Sequence, residues 1–174
     1  SDTSRCKTST SISRPEYGLC LGSVMKLLAW VQYTDKVLGG DSKFFRIRIN
    51  PKYEGDLGLL AHEHEHVRQW YMVTNISFFL MCTACLIFYP IVLTHPLTVL
   101  MLLFYSSMVY NAATMMSKKI RFKVEVACYA KQIKMYPEEH TERYLKHFSK
   151  FIAENYELNV SQEDARNALV EALY

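Results

Sequence analysis

Leu59-Leu60-Ala61-His62-Glu63-His64-Glu65-His66-Val67-Arg68-Gln69-Trp70 decides how the rest of the chain is read, because it contains one complete His-Glu-x-x-His pattern. At about 100° per residue, a helix puts His62 and His66 one turn apart on one face, with Glu63 beside them. Two imidazoles in that relation can hold one metal ion while the intervening carboxylate reaches a water on the metal. His64 stands about 200° around from His62 and cannot share the ion. The pair His64 and Arg68 repeats the spacing but lacks the second ligand. Glu65 lies on the other flank of His62, where it can orient a ligand imidazole from behind. The competing reading is a solvated polar face held by i, i+4 pairs. Leu57, Leu59, Leu60 and Ala61 before the motif, with Val67, Trp70 and Tyr71 after it, instead predict a helix buried on one side, where polar groups need partners.

The 174 residues allow one domain with a sizeable core. The net charge of +3 comes from Lys and Arg spread along the chain without a basic block, so no nucleic-acid partner is expected. Cys6, Cys20, Cys82, Cys85 and Cys128 follow no secreted framework and read as reduced thiols in a cytosolic setting. Cys82 and Cys85 form a C-x-x-C inside an uncharged apolar run, which points to buried small residues rather than a redox pair. Residues 1–16 are polar, with almost no apolar content, and are expected to form a disordered leader, neither core nor secretory signal, before a single domain over 17–174.

Outward from the motif, a helix is expected over Ser23 to Lys36, ending near Gly39-Gly40. Lys43-Phe44-Phe45-Arg46-Ile47-Arg48-Ile49 alternates apolar and basic residues up to Asn50-Pro51 and predicts a half-buried strand. As an edge strand beside the motif helix it could pair with an extended peptide; a purely structural strand fits the pattern equally well. Asp56 is the expected N-cap of the motif helix, which runs to about Thr74 or Asn75 or continues into the next segment.

From Ile76 to Met116 there is no Asp, Glu, Lys or Arg. Ile76 to Thr94 and Leu97 to Met116 are each about long enough to cross a hydrocarbon core of roughly 30 Å, and His95-Pro96 supplies the turn between them. The expectation is a transmembrane helical hairpin over 76–116, with Pro90 kinking its first span; the alternative is a helical pair buried in a protein assembly. Arg68 precedes the hairpin and Lys118, Lys119, Arg121 and Lys123 follow it, which places both ends and the motif helix on the cytoplasmic side. Trp70, Tyr71, Tyr105 and Tyr110 are candidates for interfacial belts.

Beyond the hairpin, Lys118 to Met135 reads as a helix in which Glu125 is flanked by Val, Ala and Cys. A carboxylate there is costly to bury unless paired or metal-bound, so Glu125 is the natural third ligand; an ion pair with Arg121 or Lys118 on a solvated face is the other reading. Tyr136-Pro137 breaks this helix. Tyr144, Leu145, Phe148, Phe151, Ile152 and Tyr156 form a helical apolar stripe that reads as core, and Ser161 with Asp164 caps a last short helix. His140 and His147 read as surface residues.

Two histidines, a carboxylate and an open position are what a catalytic zinc site needs. Zinc brings the pKa of its water to about 7, Glu63 takes the proton as general base, and peptide-bond hydrolysis is the simplest reaction these parts support. His62-Glu63-x-x-His66-Val67-Arg68-Gln69, followed by Glu125 in a V-E-V-A-C-Y-A helix, resembles the zincin metallopeptidases of the gluzincin type, in particular minimal forms from bacterial and phage genomes. The resemblance covers Phe44 to Gln132. It implies a mainly α fold with a minor β part, a zincin-like helical core with one or two short strands, and the apolar hairpin inserted between the two halves of the site is a departure from the family pattern. The resemblance also implies zinc on His62, His66 and Glu125, Glu63 as catalytic base and Tyr129 assisting at the oxyanion. The expected protein is a membrane zinc peptidase acting on a peptide or protein substrate at the cytoplasmic face. The alternative is a non-enzymatic membrane or virion component that uses the zincin-like core as a metal-binding scaffold.

Overall fold

The structure, a computed structural model, describes residues 29–88 and 95–174. Among these the chain is mainly helical with one small sheet. Its elements are β1 (Trp30–Tyr33), β2 (Gly40–Lys43), β3 (Arg46–Ile49), α1 (Leu57–Phe88), α2 (Pro96–Met116), α3 (Lys118–Ile133), α4 (Thr141–Asn155) and α5 (Gln162–Leu173).

The alternation at Arg46–Ile49 forms a strand for the expected reason: Ile47 and Ile49 point inward and are fully buried against Val67 of α1, while the arginines point away. The sheet order is β1-β3-β2, with β1 parallel and β2 antiparallel to β3. The basic strand is therefore central rather than an edge, and the edge beside α1 is β2, a polar Gly-Asp-Ser-Lys segment with no strand signature. Asp41 sits opposite Arg48 in the register and pairs with it across the two strands. Phe44 and Phe45 make the two-residue turn between β2 and β3, with Phe44 at φ 57°, a left-handed conformation uncommon for a bulky side chain. Edge-on contact of Phe44 with Trp70, at 5.6 Å between ring centres, holds it there.

The helix expected over Ser23 to Lys36 is corrected at its C-terminal half. Trp30–Tyr33 is a strand, because Val31 packs over the Ile47 and Val67 cluster and the β3 ladder satisfies its backbone. Residues 23–28 lie outside the described residues, as do the leader and the Pro90 kink.

Asp56 caps α1 by accepting from the Leu59 N–H at 2.9 Å. The helix does not stop at Asn75 but runs unbroken through the polar motif into the apolar segment as far as Phe88. Pro96 opens α2, with His95 at its N-cap. Both helices are long and apolar enough to cross a membrane. Ile76, Phe79, Leu86 and Phe88 on α1 and Leu97, Leu100, Met101 and Phe104 on α2 are exposed. Ser106 is buried between the two helices, donating to the Leu102 carbonyl at 2.7 Å and facing the Met81 sulfur at 3.4 Å. Trp70 is not a belt residue: it is buried, and its indole N–H donates to the Ser107 carbonyl of α2 at 2.9 Å. Cys82 and Cys85 are half-buried free thiols.

A second core joins α3, α4 and α5 through Val126, Tyr129, Ile133, Leu145, Phe148, Ile152, Ala165 and Leu169. Ser161 caps α5, accepting from the Asp164 N–H at 3.0 Å. The two cores meet along α1 and α3. Gly58 allows that approach, since any side chain there would overlap the Tyr136 ring, whose hydroxyl donates to Asp56 at 3.0 Å.

Candidate metal centre

His62 and His66 project from the first half of α1, before its apolar stretch begins at Ile76, toward α3, which presents Glu125. The Nε2 atoms of the two histidines are 3.2 Å apart, and Glu125 Oε2 lies 3.8 Å from His62 Nε2 and 3.6 Å from His66 Nε2. Two ligand atoms about 2.0–2.1 Å from a tetrahedral ion stand about 3.3 Å apart, and the point equidistant from this triangle's corners is about 2.1 Å from each. Glu125 Oε2 is buried without a hydrogen-bond partner. An orphaned buried carboxylate oxygen is costly, and a cation between it and the two imidazoles removes the cost. The donor set therefore fits a divalent ion.

Cys128 completes a second view of the same place. It lies one turn after Glu125 on α3, fully buried, and ligand atoms of His62, His66 and Cys128 come within 4.8 Å of one another. This group could hold a metal ion. The i, i+3 spacing from Glu125 was the sequence signal for Cys128, masked by the ordinary abundance of buried cysteine. Burial pushes its thiol pKa well up in the metal-free protein.

Electrostatics at the centre follow from burial and crowding. Burial, and then the neighbouring His66, lower His62 to about 3. For His66 burial acts downward, but Glu125, Glu63 and Glu65 outweigh it and the net shift is upward. Glu63 is raised to about 7, by burial above all, with His66 opposing. Its carboxylate lies under the edge strand, hydrogen-bonded to Ser42 and packed so closely on Gly40 that a Cβ there would sit 2.9 Å from Glu63 Cδ. Gly40, read with Gly39 as the end of a helix, thus makes room for the carboxylate.

Glu65 does not support a ligand imidazole. It is buried and taken up by Arg68, which donates from Nε at 2.8 Å, and by Gln69 at 3.3 Å. The group facing His66 Nδ1 is instead the Tyr110 hydroxyl of α2 at 3.4 Å. Tyr129 lies in the core with its ring 4.4 Å from that of His62, and its hydroxyl meets the Tyr156 hydroxyl at 2.9 Å. Tyr156, read from sequence as part of a core stripe, lies beside Glu125 with Arg121 over its ring at 5.4 Å. His64 is half-buried on another face, and His140 and His147 are exposed.

A cleft of about 740 Å³ opens over the centre. Its walls are the edge strand β2, the His62 and Glu63 face of α1, the last turns of α2 and, from the far side, Glu125, Arg121 and Tyr156. Tyr129 is not among its lining residues, whereas Tyr156 is. No protein-family model, curated protein or solved structure matches the chain.

Proposed function

We propose that this chain is a membrane-anchored zinc peptidase. The observation that carries the reading is the His62, His66 and Glu125 triangle, of metal-binding size, at the floor of an open cleft with a buried carboxylate, Glu63, in its wall. Donors of two nitrogens and one oxygen suit zinc, which supplies Lewis acidity to hydrolysis of a carbonyl substrate. Glu63 takes a proton from the attacking water and returns it to the leaving amine. Among the described residues no strand pairs with the outer edge of β2, whose backbone groups can hold an extended peptide in place across the centre. Tyr156 and Arg121 on the opposite wall supply donors toward the carbonyl oxygen as it gains charge.

Anchoring follows from the hairpin, whose apolar side chains face outward while Ser106 is enclosed, the arrangement of helices solvated by lipid. The cations of Lys118 to Lys123 support a cleft on the cytoplasmic side. A second reading rests on Cys128: as a fourth ligand it would close the coordination, and the metal would then serve a scaffold.

The test is incubation of the zinc-loaded full chain, in lipid vesicles, with a mixture of peptides followed by mass spectrometry. Cleavage that stops on chelation and returns with zinc supports the peptidase; stoichiometric zinc with no cleavage supports the scaffold. Gly40→Ala supplies an independent check. The added methyl must displace the Glu63 carboxylate, and a misplacement of about 1 Å can cost about 100-fold in rate. Turnover is therefore expected to drop by about that factor with zinc content unchanged and a thermal midpoint lowered by the overpacking, which costs on the order of 1–3 kcal/mol; an unchanged rate removes Glu63 from the chemistry.

A further inference from the structure

The cleft is aligned with the hairpin rather than facing away from it. Edge strand β2 runs along α1 from Gly40, packed on Glu63, to the Phe44 turn, packed on Trp70. Trp70 is seven residues closer than Glu63 to the apolar half of α1, about 10 Å at 1.5 Å per residue. Trp70 is tied to Ser107 and His66 faces Tyr110, nine and six residues before the end of α2 at Met116, or about 14 Å and 9 Å along that helix. The uncharged wall of α2 therefore passes the metal centre on one side, with Met115 both exposed and lining the cleft. Phe44 and Phe45 stand exposed at the end of β2 that points the same way.

We propose that the occupant of the cleft is an extended stretch of polypeptide that emerges directly from a membrane-spanning segment of another protein, entering between Phe44 and α2 and pairing along β2. This rests on the membrane-peptidase reading and specifies its substrate class. A chain leaving the bilayer beside α2 reaches the centre within about ten residues, since extended backbone advances about 3.3 Å per residue and the ten residues of α1 between His66 and Ile76, where its apolar stretch begins, span about 15 Å.

The experiment uses the full-length Glu63→Gln protein, zinc-loaded in phosphatidylcholine vesicles, with benzoylphenylalanine at Lys43, an exposed position of β2 at the cleft. The probe is a peptide with about 20 leucines as its span, followed by about thirty mixed residues. Cross-links mapped by mass spectrometry are expected to fall at least tenfold more often within the first ten residues after the span than beyond them, and to be at least tenfold weaker with the photoreactive residue at Glu163 on α5. Cross-links spread evenly along the segment, or equal in yield at position 163, overturn the inference. Cleavage of the same peptide by the unsubstituted zinc-loaded chain is scored separately. Clustered cross-links without hydrolysis retire the peptidase and keep the docking path; hydrolysis far from the span does the reverse.

Discussion

Replacing Glu125 with Gln is expected to weaken zinc binding by at least ~100-fold without destabilising the metal-free protein, because partners outside the coordination shell alone contribute about 10–100-fold and a direct ligand counts for more. The metal-free outcome comes from Glu125 Oε2, which is buried with no hydrogen-bond partner and 3.6 Å from the nearer imidazole nitrogen. Neutralising such a group removes a desolvation cost that offsets the attraction to His66 it gives up. The two effects separate in thermal unfolding. At zinc about 1,000 times the dissociation constant, binding stabilises the unsubstituted chain by about 4 kcal/mol; at the same zinc a 100-fold weaker site gains only about 1.4 kcal/mol. Chelator competition gives the affinity and paired melts with and without zinc give the stabilities. Unchanged affinity excludes Glu125 as a ligand. Cys128→Ala is the matched comparison: a loss of equal size means that the thiol closes the coordination and favours the scaffold reading.

Glu63→Gln is expected to lower the rate of peptide hydrolysis by about 10²–10⁴-fold, the usual contribution of a positioned general base, with zinc retained. Gln preserves the shape and the contact with Ser42 and Gly40 but cannot accept a proton. In the metal-free protein burial holds the Glu63 carboxyl near 7; a cation on His62, His66 and Glu125 pulls it down and favours the carboxylate. A steady-state assay of kcat, with zinc content measured on the same samples, decides the matter. Full activity in the variant would place the proton transfer elsewhere and leave Glu63 as a buried support for β2.

The legible part of this protein was periodic or local. His62, Glu63 and His66 lie within five residues on one helix, so a 3.6-residue period places them together before any tertiary contact forms. The uncharged run after Ile76, the Asp56 and Ser161 caps and the break at Tyr136-Pro137 are likewise properties of short segments. Glu125 was legible on energetic grounds, since a carboxylate among Val, Ala and Cys asks for a partner, although its distance from the histidines was not.

Tertiary structure alone decided the rest, because those positions owe their roles to contact between distant segments. The edge of the sheet went to Gly40–Lys43, which has no strand propensity of its own, because Arg46–Ile49 is the strand with an inward apolar face and takes the centre. Trp30–Tyr33, locally compatible with a helix, became a strand because β3 offered it a ladder. Tyr156 rather than Tyr129 reached the cleft through the packing of α4 on α3, and Tyr110 reached His66 through the pairing of α1 with α2. Sequence by itself thus determined that a His-Glu-x-x-His helix joins an apolar hairpin. Only the fold decided that Glu125 closes a triangle with the two histidines and that β2 leads from this centre toward the hairpin, because both depend on how separate helices and strands share one buried surface.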